Sequence, residues 1–315
     1  MPAVITVTLN PVIDLIYHVP PYEKGDTVRA HRFEQAPAGK GINVSITLAC
    51  LGEPSTVLML GGSQDRPLYQ ALCDRHGIAL AQLDAWPWVR RHCTMLEQQG
   101  NTTTHIQVRG DEPDPQAIKD LITLLERTLS AEDVLILAGS IPPGVDEAIY
   151  GRLIALGKAA GAWTVLDSHS APLRYGLEAG PALLKINHHE AMQYCGVEEG
   201  RLTDAALLTA LEERAQTPMT VITLGGRGVM GSDGNQRLRL WIDLQPEEVR
   251  DTVGCGDAML AGMVSVLLNG GHFEAMLREG IACATAAATQ TGPGQVAIET
   301  IQAMRPRASM EPVAD

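Results

Sequence analysis

The densest chemistry-bearing stretch of the chain is Asp251-Thr252-Val253-Gly254-Cys255-Gly256-Asp257, followed at once by the small-residue run Ala258-Met259-Leu260-Ala261-Gly262. Glycines at 254 and 256 leave the backbone bare, so the N–H groups of Gly254, Cys255 and Gly256 can turn toward one point at a helix start. Such a cradle suits an anion, because unpaired N–H donors add to the positive end of the helix dipole. Asp257, in the first turn of that helix, is expected to stay ionised beside the dipole and to be able to accept a proton from an attacking hydroxyl. The plainer reading of the same residues is a helix N-cap behind a glycine turn, and the spacing alone allows both.

A second element, Ala38-Gly39-Lys40-Gly41-Ile42-Asn43, places one lysine in bare backbone at the entry to a helix. It suits a polyhydroxylated or phosphorylated ligand, with Lys40 as a point charge and Asn43 as a two-way hydrogen-bonding group. It is not a Walker A loop, since Glu34 occupies the first glycine position and Gly41 follows the lysine. Gly226-Arg227-Gly228-Val229-Met230-Gly231 fits the dinucleotide fingerprint G-x-G-x-x-G behind the apolar run Thr220–Leu224. A β-hairpin is expected after it, where the fingerprint needs a helix N-terminus, so an oxidoreductase of the Rossmann type is set aside. His188-His189-Glu190 lacks the H-E-x-x-H spacing of a zinc site, and adjacent histidines point in different directions. Asn187 and Glu190, three apart, fit a hydrated Mg²⁺ and fit a capping box equally well.

These residues need a scaffold. Val4–Leu9, Thr56–Leu60, Val134–Ala138, Trp163–Leu166, Leu183–Ile186 and Thr220–Leu224 read as buried strands. Helical patterns lie between them at Asn43–Leu51, Pro67–Arg75, Gln116–Leu129, Ala148–Ala160 and Thr203–Gln216. That alternation predicts an α/β fold, with a mostly parallel sheet covered by helices on both faces. After Thr220 the pattern becomes strand, glycine turn, strand, and then one long small-residue helical region from Ala258 to Thr289. Pro20–Phe33 and Val89–Val108 break the rhythm, the second reading as a hairpin that turns at Gln99-Gly100-Asn101. They are expected to form a small appended sheet, either a lid or plain edge strands, on a single domain spanning residues 1–315.

Composition removes other classes. With 24 Lys+Arg against 37 Asp+Glu, the net charge of −13 argues against a nucleic-acid binder, which needs a basic face. Six scattered cysteines without a C-x-x-C pair suggest isolated thiols, not a disulfide framework or a zinc knuckle. No signal peptide is read at the N-terminus, and Met259–Leu268 falls short of the roughly 20 apolar residues that cross a bilayer. A soluble cytoplasmic protein without a membrane partner is expected.

Taken together and in order, these segments resemble the ribokinase-like (PfkB) family of sugar kinases, and within it the branch of 1-phosphofructokinases and tagatose-6-phosphate kinases. The resemblance rests on Thr8-Leu9-Asn10-Pro11-Val12-Ile13-Asp14, Ala38–Val44, Gly139-Ser140-Ile141-Pro142-Pro143-Gly144-Val145, Asn187-x-x-Glu190, Thr223–Gly228 and Asp251–Asp257. It implies a Rossmann-like doubly wound sheet with a β-sheet lid over strands from about 12–38 and 88–109, and a homodimer formed through that lid. It implies that Asp14, Gly39, Gly41, Asn43 and Ser140 bind the sugar, and that Lys40 and Arg90 meet its phosphate, with Arg91 as a helper. Lys185, Asn187, Glu190, Thr223, Gly225 and Gly228 would serve ATP, and Glu190 would hold Mg²⁺ through water. Gly254, Cys255 and Gly256 would cradle the transferring phosphoryl group, and Asp257 would be the general base.

The reaction implied is ATP-dependent phosphorylation of a ketohexose monophosphate, first of all fructose 1-phosphate to fructose 1,6-bisphosphate. Tagatose 6-phosphate, fructose 6-phosphate, an unphosphorylated sugar and a nucleoside are the alternative acceptors, and a non-catalytic sugar-binding protein is the alternative class. Three departures bear on the choice. Val89-Arg90-Arg91-His92 stands where the branch usually has Thr-Arg-x-Asn, Lys185-Ile186-Asn187 replaces Lys-Pro-Asn, and His188-His189 is atypical before Glu190.

Overall fold

A computed structural model describes residues 2–97, 102–290 and 296–313. The large sheet has ten strands. In spatial order they are β14 (Ser309–Pro312), β13 (Arg237–Trp241), β12 (Val229–Ser232), β11 (Met219–Thr223), β10 (Leu183–Asn187), β9 (Trp163–Asp167), β8 (Val134–Ala138), β1 (Val4–Thr8), β4 (Ser55–Gly62) and β5 (Ala79–Trp86). From β11 to β5 every neighbour is parallel, and β12, β13 and β14 add an antiparallel edge. The chain winds outward from β1 through β4 and β5, then returns to β8 and winds the other way. The strand order therefore reverses between β1 and β8, and a crevice opens there at the C-terminal strand ends.

The central strands are apolar runs because both their faces are covered. All five residues of β1 and of β8 are buried. On one face lie α1 (Lys40–Cys50), α8 (Cys255–Leu268), α9 (Phe273–Ala288) and α10 (Ile298–Met304), in a core that includes Val4, Val44, Leu48, Met259 and Leu277. The other face carries α3 (Pro115–Thr128), α4 (Ile149–Ala160), α5 (Ser170–Glu178), α6 (His188–Cys195) and α7 (Asp204–Ala215), packed around Ile5, Val7, Leu121, Leu153 and Leu208. No described helix is long and apolar enough to cross a membrane. The helical region expected over Ala258–Thr289 holds two helices, α8 and α9, separated at Asn269–His272, where Gly270 takes a left-handed φ of 69°. The joint, Asn269-Gly270-Gly271-His272, is made of poor helix formers that mark the break in the sequence itself.

A second sheet runs β3 (Arg32–Ala38), β2 (Val12–Val19), β6 (Arg90–Glu97), β7 (Thr102–Ile106); the Val89–Val108 stretch supplies β6 and β7, whereas Pro20–Phe33, expected in the sheet, is mostly the connection between β2 and β3. The expected turn at Gln99-Gly100-Asn101 lies outside the described residues. Strands β6 and β7 pair antiparallel on either side of it. This sheet is fastened to α2 (Arg66–His76) at two places. The Tyr69 hydroxyl donates to Val12 O at 2.8 Å, and Asp65, at the start of α2, accepts from Val89 N and from the Arg91 guanidinium.

The glycines of the lysine loop serve packing. A Cβ on Gly41 would stand 2.5 Å from Thr8 Oγ1 and 3.0 Å from Val7 O, and one on Gly39 would stand 2.7 Å from Thr8 Cγ2. Both are bare so that the start of α1 can close on the end of β1. Gly41→Val should therefore cost about 1–3 kcal/mol by overpacking. Gly226→Ala, with nothing within 4 Å of its Cβ, should leave the melting temperature unchanged; thermal melts of the two variants check this.

Candidate active site

Strands β9 and β10 and helix α1 deliver three charged side chains to one point. Asp167 closes β9 and is wholly buried. Its Oδ1 accepts from Lys40 Nζ at 2.7 Å and its Oδ2 from Lys185 Nζ at 2.6 Å. Burial alone would raise the Asp167 carboxyl, but Lys185 and Lys40 outweigh it and hold the group down at about 2. Burial likewise pulls the Lys40 amine down, and Asp167, Asp257 and Glu190 together carry it above the usual lysine range. The result is an anion between two cations at the mouth of the crevice.

Asp257 lies beside this trio, in the first turn of α8, behind Gly254 with its φ of 81°. Asn43 Nδ2, from α1, donates to Asp257 Oδ2 at 2.8 Å. The helix dipole does not keep this carboxyl acidic. Burial raises it, Asp167 adds to the rise, and Lys40, Lys185 and the Asn43 bond only partly offset them, leaving it at about 6. It is thus mostly ionised at neutral pH and near the value that serves a general base. A Cβ on Gly256 would stand 2.7 Å from Lys185 Nζ, which places that ammonium directly behind the N–H cradle of α8. Burial, then Asp251 and Asp257, push the Cys255 thiol up to about 11, so Cys255 brings its backbone N–H and no thiolate.

Lys40 was expected at the sugar phosphate. The structure puts its ammonium on Asp167, among the groups around Asp257, because α1 starts against β1 and the side chain runs past Gly139 toward β9. Arg90 remains at the lid edge. Its Nη2 donates to Asn10 O at 2.9 Å, its Nε to Pro11 O at 3.3 Å and its Nη1 to Val108 O at 3.2 Å. Arg91 alternates to the other face of β6 and is spent on Asp65, with Nη2 2.6 Å from Oδ1, so it is no phosphate helper. Asp14 on β2 stands opposite His92 on β6, 3.4 Å from its Nδ1. Ser140, just past β8, accepts from Asn10 Nδ2 at 3.1 Å across the strand-order reversal. The lid face and the Asp257 cluster are joined by this chain of Arg90, Asn10, Ser140, Gly139 and Lys40.

On the other side of the cluster, Asn187 ends β10 directly opposite Thr223 at the end of β11. Asn187 caps α6, with Glu190 N donating to its side chain at 2.9 Å and Asn187 N donating to the Glu190 carboxylate at 2.8 Å. The capping box is real, and Glu190 still reaches Lys40 electrostatically. Gly225 opens a short 3-10 turn that ends before Gly228, and antiparallel β12 follows. The G-x-G-x-x-G stretch therefore has no helix behind it, as expected. Lys185, read as a nucleotide ligand, lies deeper, at the cradle. No group of three or more His, Cys, Asp and Glu able to hold a metal occurs among the described residues. The lone Glu190 carboxylate fits a Mg²⁺ that keeps its waters and takes its other oxygens from phosphates. Asp167 was missed. A carboxylate closing an apolar strand run, Trp163-Thr164-Val165-Leu166-Asp167, is the signal that points to it.

Comparisons with known proteins give the family and the fold. The pattern of the pfkB family carbohydrate kinases matches residues 7–301. The chain is 31% identical over 293 residues to a 1-phosphofructokinase of Vibrio cholerae, covering 92% of this chain and 91% of the relative. It is 32% identical over 273 residues to one of Xanthomonas campestris, covering 84% of each. Among solved structures, phosphofructokinase-2 from Escherichia coli, in complex with potassium, superposes with a TM-score of 0.89 at 23% identity, covering 97% of this chain and 99% of that one. A ribokinase from Thermotoga maritima gives 0.75 at 20% identity, covering 96% and 99%. The family pattern runs over nearly the whole chain, and the relatives match it at similar coverage: the chain is a member of the pfkB family of carbohydrate kinases.

Proposed function

We propose that this protein is an ATP-dependent sugar-phosphate kinase that transfers the γ-phosphoryl group to a ketohexose monophosphate, converting fructose 1-phosphate to fructose 1,6-bisphosphate. The observation that carries the reading is Asp257, held by Asn43 at the start of α8 within reach of the fields of Lys40 and Lys185. The names of the Vibrio and Xanthomonas relatives support the choice of fructose 1-phosphate.

Phosphoryl transfer passes through a loose transition state, so positioning and charge neutralisation do most of the work. Asp14 and Asn43 hold sugar hydroxyls, and Arg90, at the edge of the lid, attracts the phosphate that the sugar already carries. The acceptor hydroxyl gives its proton to Asp257 as its oxygen bonds to the γ-phosphorus of ATP, and the bond from that phosphorus to the β–γ bridging oxygen breaks, releasing ADP. The N–H groups of Gly254, Cys255 and Gly256 and the ammonium groups of Lys40 and Lys185 take up the charge on the equatorial oxygens. Thr223, Gly225 and Gly228 line the nucleotide, and Asn187 and Glu190 would hold a hydrated Mg²⁺ on its phosphates. Mg²⁺ supplies charge neutralisation there. The small sheet closes over the sugar, and its exposed Phe33 and Ile106 suit contact with a second copy of the chain. Substrates of this kind suit a protein of the cytoplasm.

ATP consumption measured across fructose 1-phosphate, fructose 6-phosphate, tagatose 6-phosphate and free fructose should give the highest kcat/KM on fructose 1-phosphate. A free sugar as the best acceptor would overturn the substrate reading. Turnover on none would leave a sugar-binding protein.

A base must be deprotonated to act, so activity is present above the pKa of Asp257 and lost below it. With that group at about 6, kcat/KM should fall roughly tenfold per pH unit on the acid side of about pH 6. Asp257→Asn should cut kcat by about 10²–10⁴ with KM little changed, in steady-state kinetics at pH 7.5.

A further inference from the structure

Outside the reaction centre, three charged or titratable side chains meet beside the nucleotide loops. Asp204 is the first residue of α7, directly after Thr203, whose hydroxyl accepts from Ala206 N and caps the helix. Asp204 Oδ1 lies 3.2 Å from His188 Nε2, while its Oδ2 is paired with the Arg227 guanidinium. The Asp204 and His188 side chains are 18% and 20% exposed, and Arg227 is 52% exposed.

The partners of Asp204 belong to different loops. His188 directly follows Asn187 at the end of β10, and Arg227 stands in the 3-10 turn between Thr223 and Gly228 at the end of β11. β10 and β11 are neighbours, in register at Asn187 and Thr223. One carboxylate from a third element thus ties together the two loops that a bound nucleotide must find in fixed relation. Neither the fingerprint arginine nor the doubled histidine has a part in the transfer itself, and this bridge gives both a place.

We propose that Asp204 is a positioning residue for the nucleotide: through His188 and Arg227 it fixes the Asn187–Glu190 turn against the Thr223–Gly228 loop. The proposal rests on the kinase reading above. Its chemistry differs from that of an ordinary surface ion pair, which contributes little because two mobile side chains gain only a screened attraction. Here the carboxylate is largely shielded, sits where the dipole of α7 favours it, and is shared between two anchored loops. The pairing also cancels a negative charge that would otherwise repel a polyphosphate. If Arg227 instead acted on the nucleotide directly, Asp204 would be holding it back, and removing Asp204 would tighten binding. The two accounts differ in sign.

The test compares wild type with Asp204→Asn, Asp204→Glu and Arg227→Gln in full-length protein, using calorimetric Kd for Mg-ATP and KM values for both substrates. Asp204→Asn should weaken Mg-ATP by about tenfold in Kd and KM while leaving kcat and the sugar-phosphate KM nearly unchanged. Arg227→Gln, which cuts the bridge at a half-exposed residue, should show the same split, and Asp204→Glu should recover most of the loss. Unchanged or tighter Mg-ATP binding in Asp204→Asn would overturn the proposal, and so would an equal loss for both substrates, the mark of a merely structural role. Wild-type protein that fails to bind Mg-ATP would overturn the kinase reading, and the proposal with it.

Discussion

Everything in the site depends on one buried interaction, the carboxylate of Asp167 between the ammonium groups of Lys40 and Lys185. Burying ions is expensive, and a buried ion pair often does no better for stability than apolar side chains of the same size. Each oxygen of Asp167 satisfies one lysine, and with Asp257 ionised the four groups sum to zero formal charge. Such a cluster is poorly explained as a stabilising device. It makes sense as a way of keeping two cations fixed and desolvated beside an anion cradle, where a low dielectric weakens neither and an incoming phosphoryl group finds them already in place.

The architecture supplies what the cluster requires. Lys185 and Asp167 come from adjacent parallel strands, and Lys40 from a helix whose first turn is drawn against β1 by Gly39 and Gly41. Asp257 comes from the opposite end of the sequence, and Asn43 binds it to α1. These groups are far apart in the chain and meet only because the sheet reverses its winding between β1 and β8. The acidic balance of the chain then ceases to be a puzzle. A protein of net charge −13 can hold polyanions when its few cations are pinned at the point of need.

Much of this was legible in the residues. Val134–Ala138 is a strand with the expected bounds, and α3 and α4 are displaced by only a residue from their predicted ends. The Asp251–Asp257 stretch and Asn43 were recognisable as chemistry from residue type and spacing. What sequence could not convey was direction. Lys40 in a glycine loop looks free to meet a ligand, yet tertiary packing sends its amine to Asp167. Arg90 and Arg91 look alike until β6 turns one to the lid face and the other to Asp65. Asp257 is mostly ionised at neutral pH, as expected, but its rise to about 6 was not visible in the motif, because burial, which dominates, is a property of the assembled core. Asp167 escaped notice because a single carboxylate after an apolar strand has no motif around it.

Burial raises the Asp257 carboxyl, and Asp167 with its two lysines tunes how far it rises. The phosphate of a sugar phosphate titrates near pH 6 as well, so an acid limb in the wild type does not alone identify the base. The pH profile of kcat/KM for Asp167→Asn, compared with wild type on the same substrate, separates the two. Removing the anion that raises Asp257 while keeping the two lysines should move the limb to lower pH, by about one unit, along with a fall in kcat. An acid limb that stays in place in this variant would contradict the account.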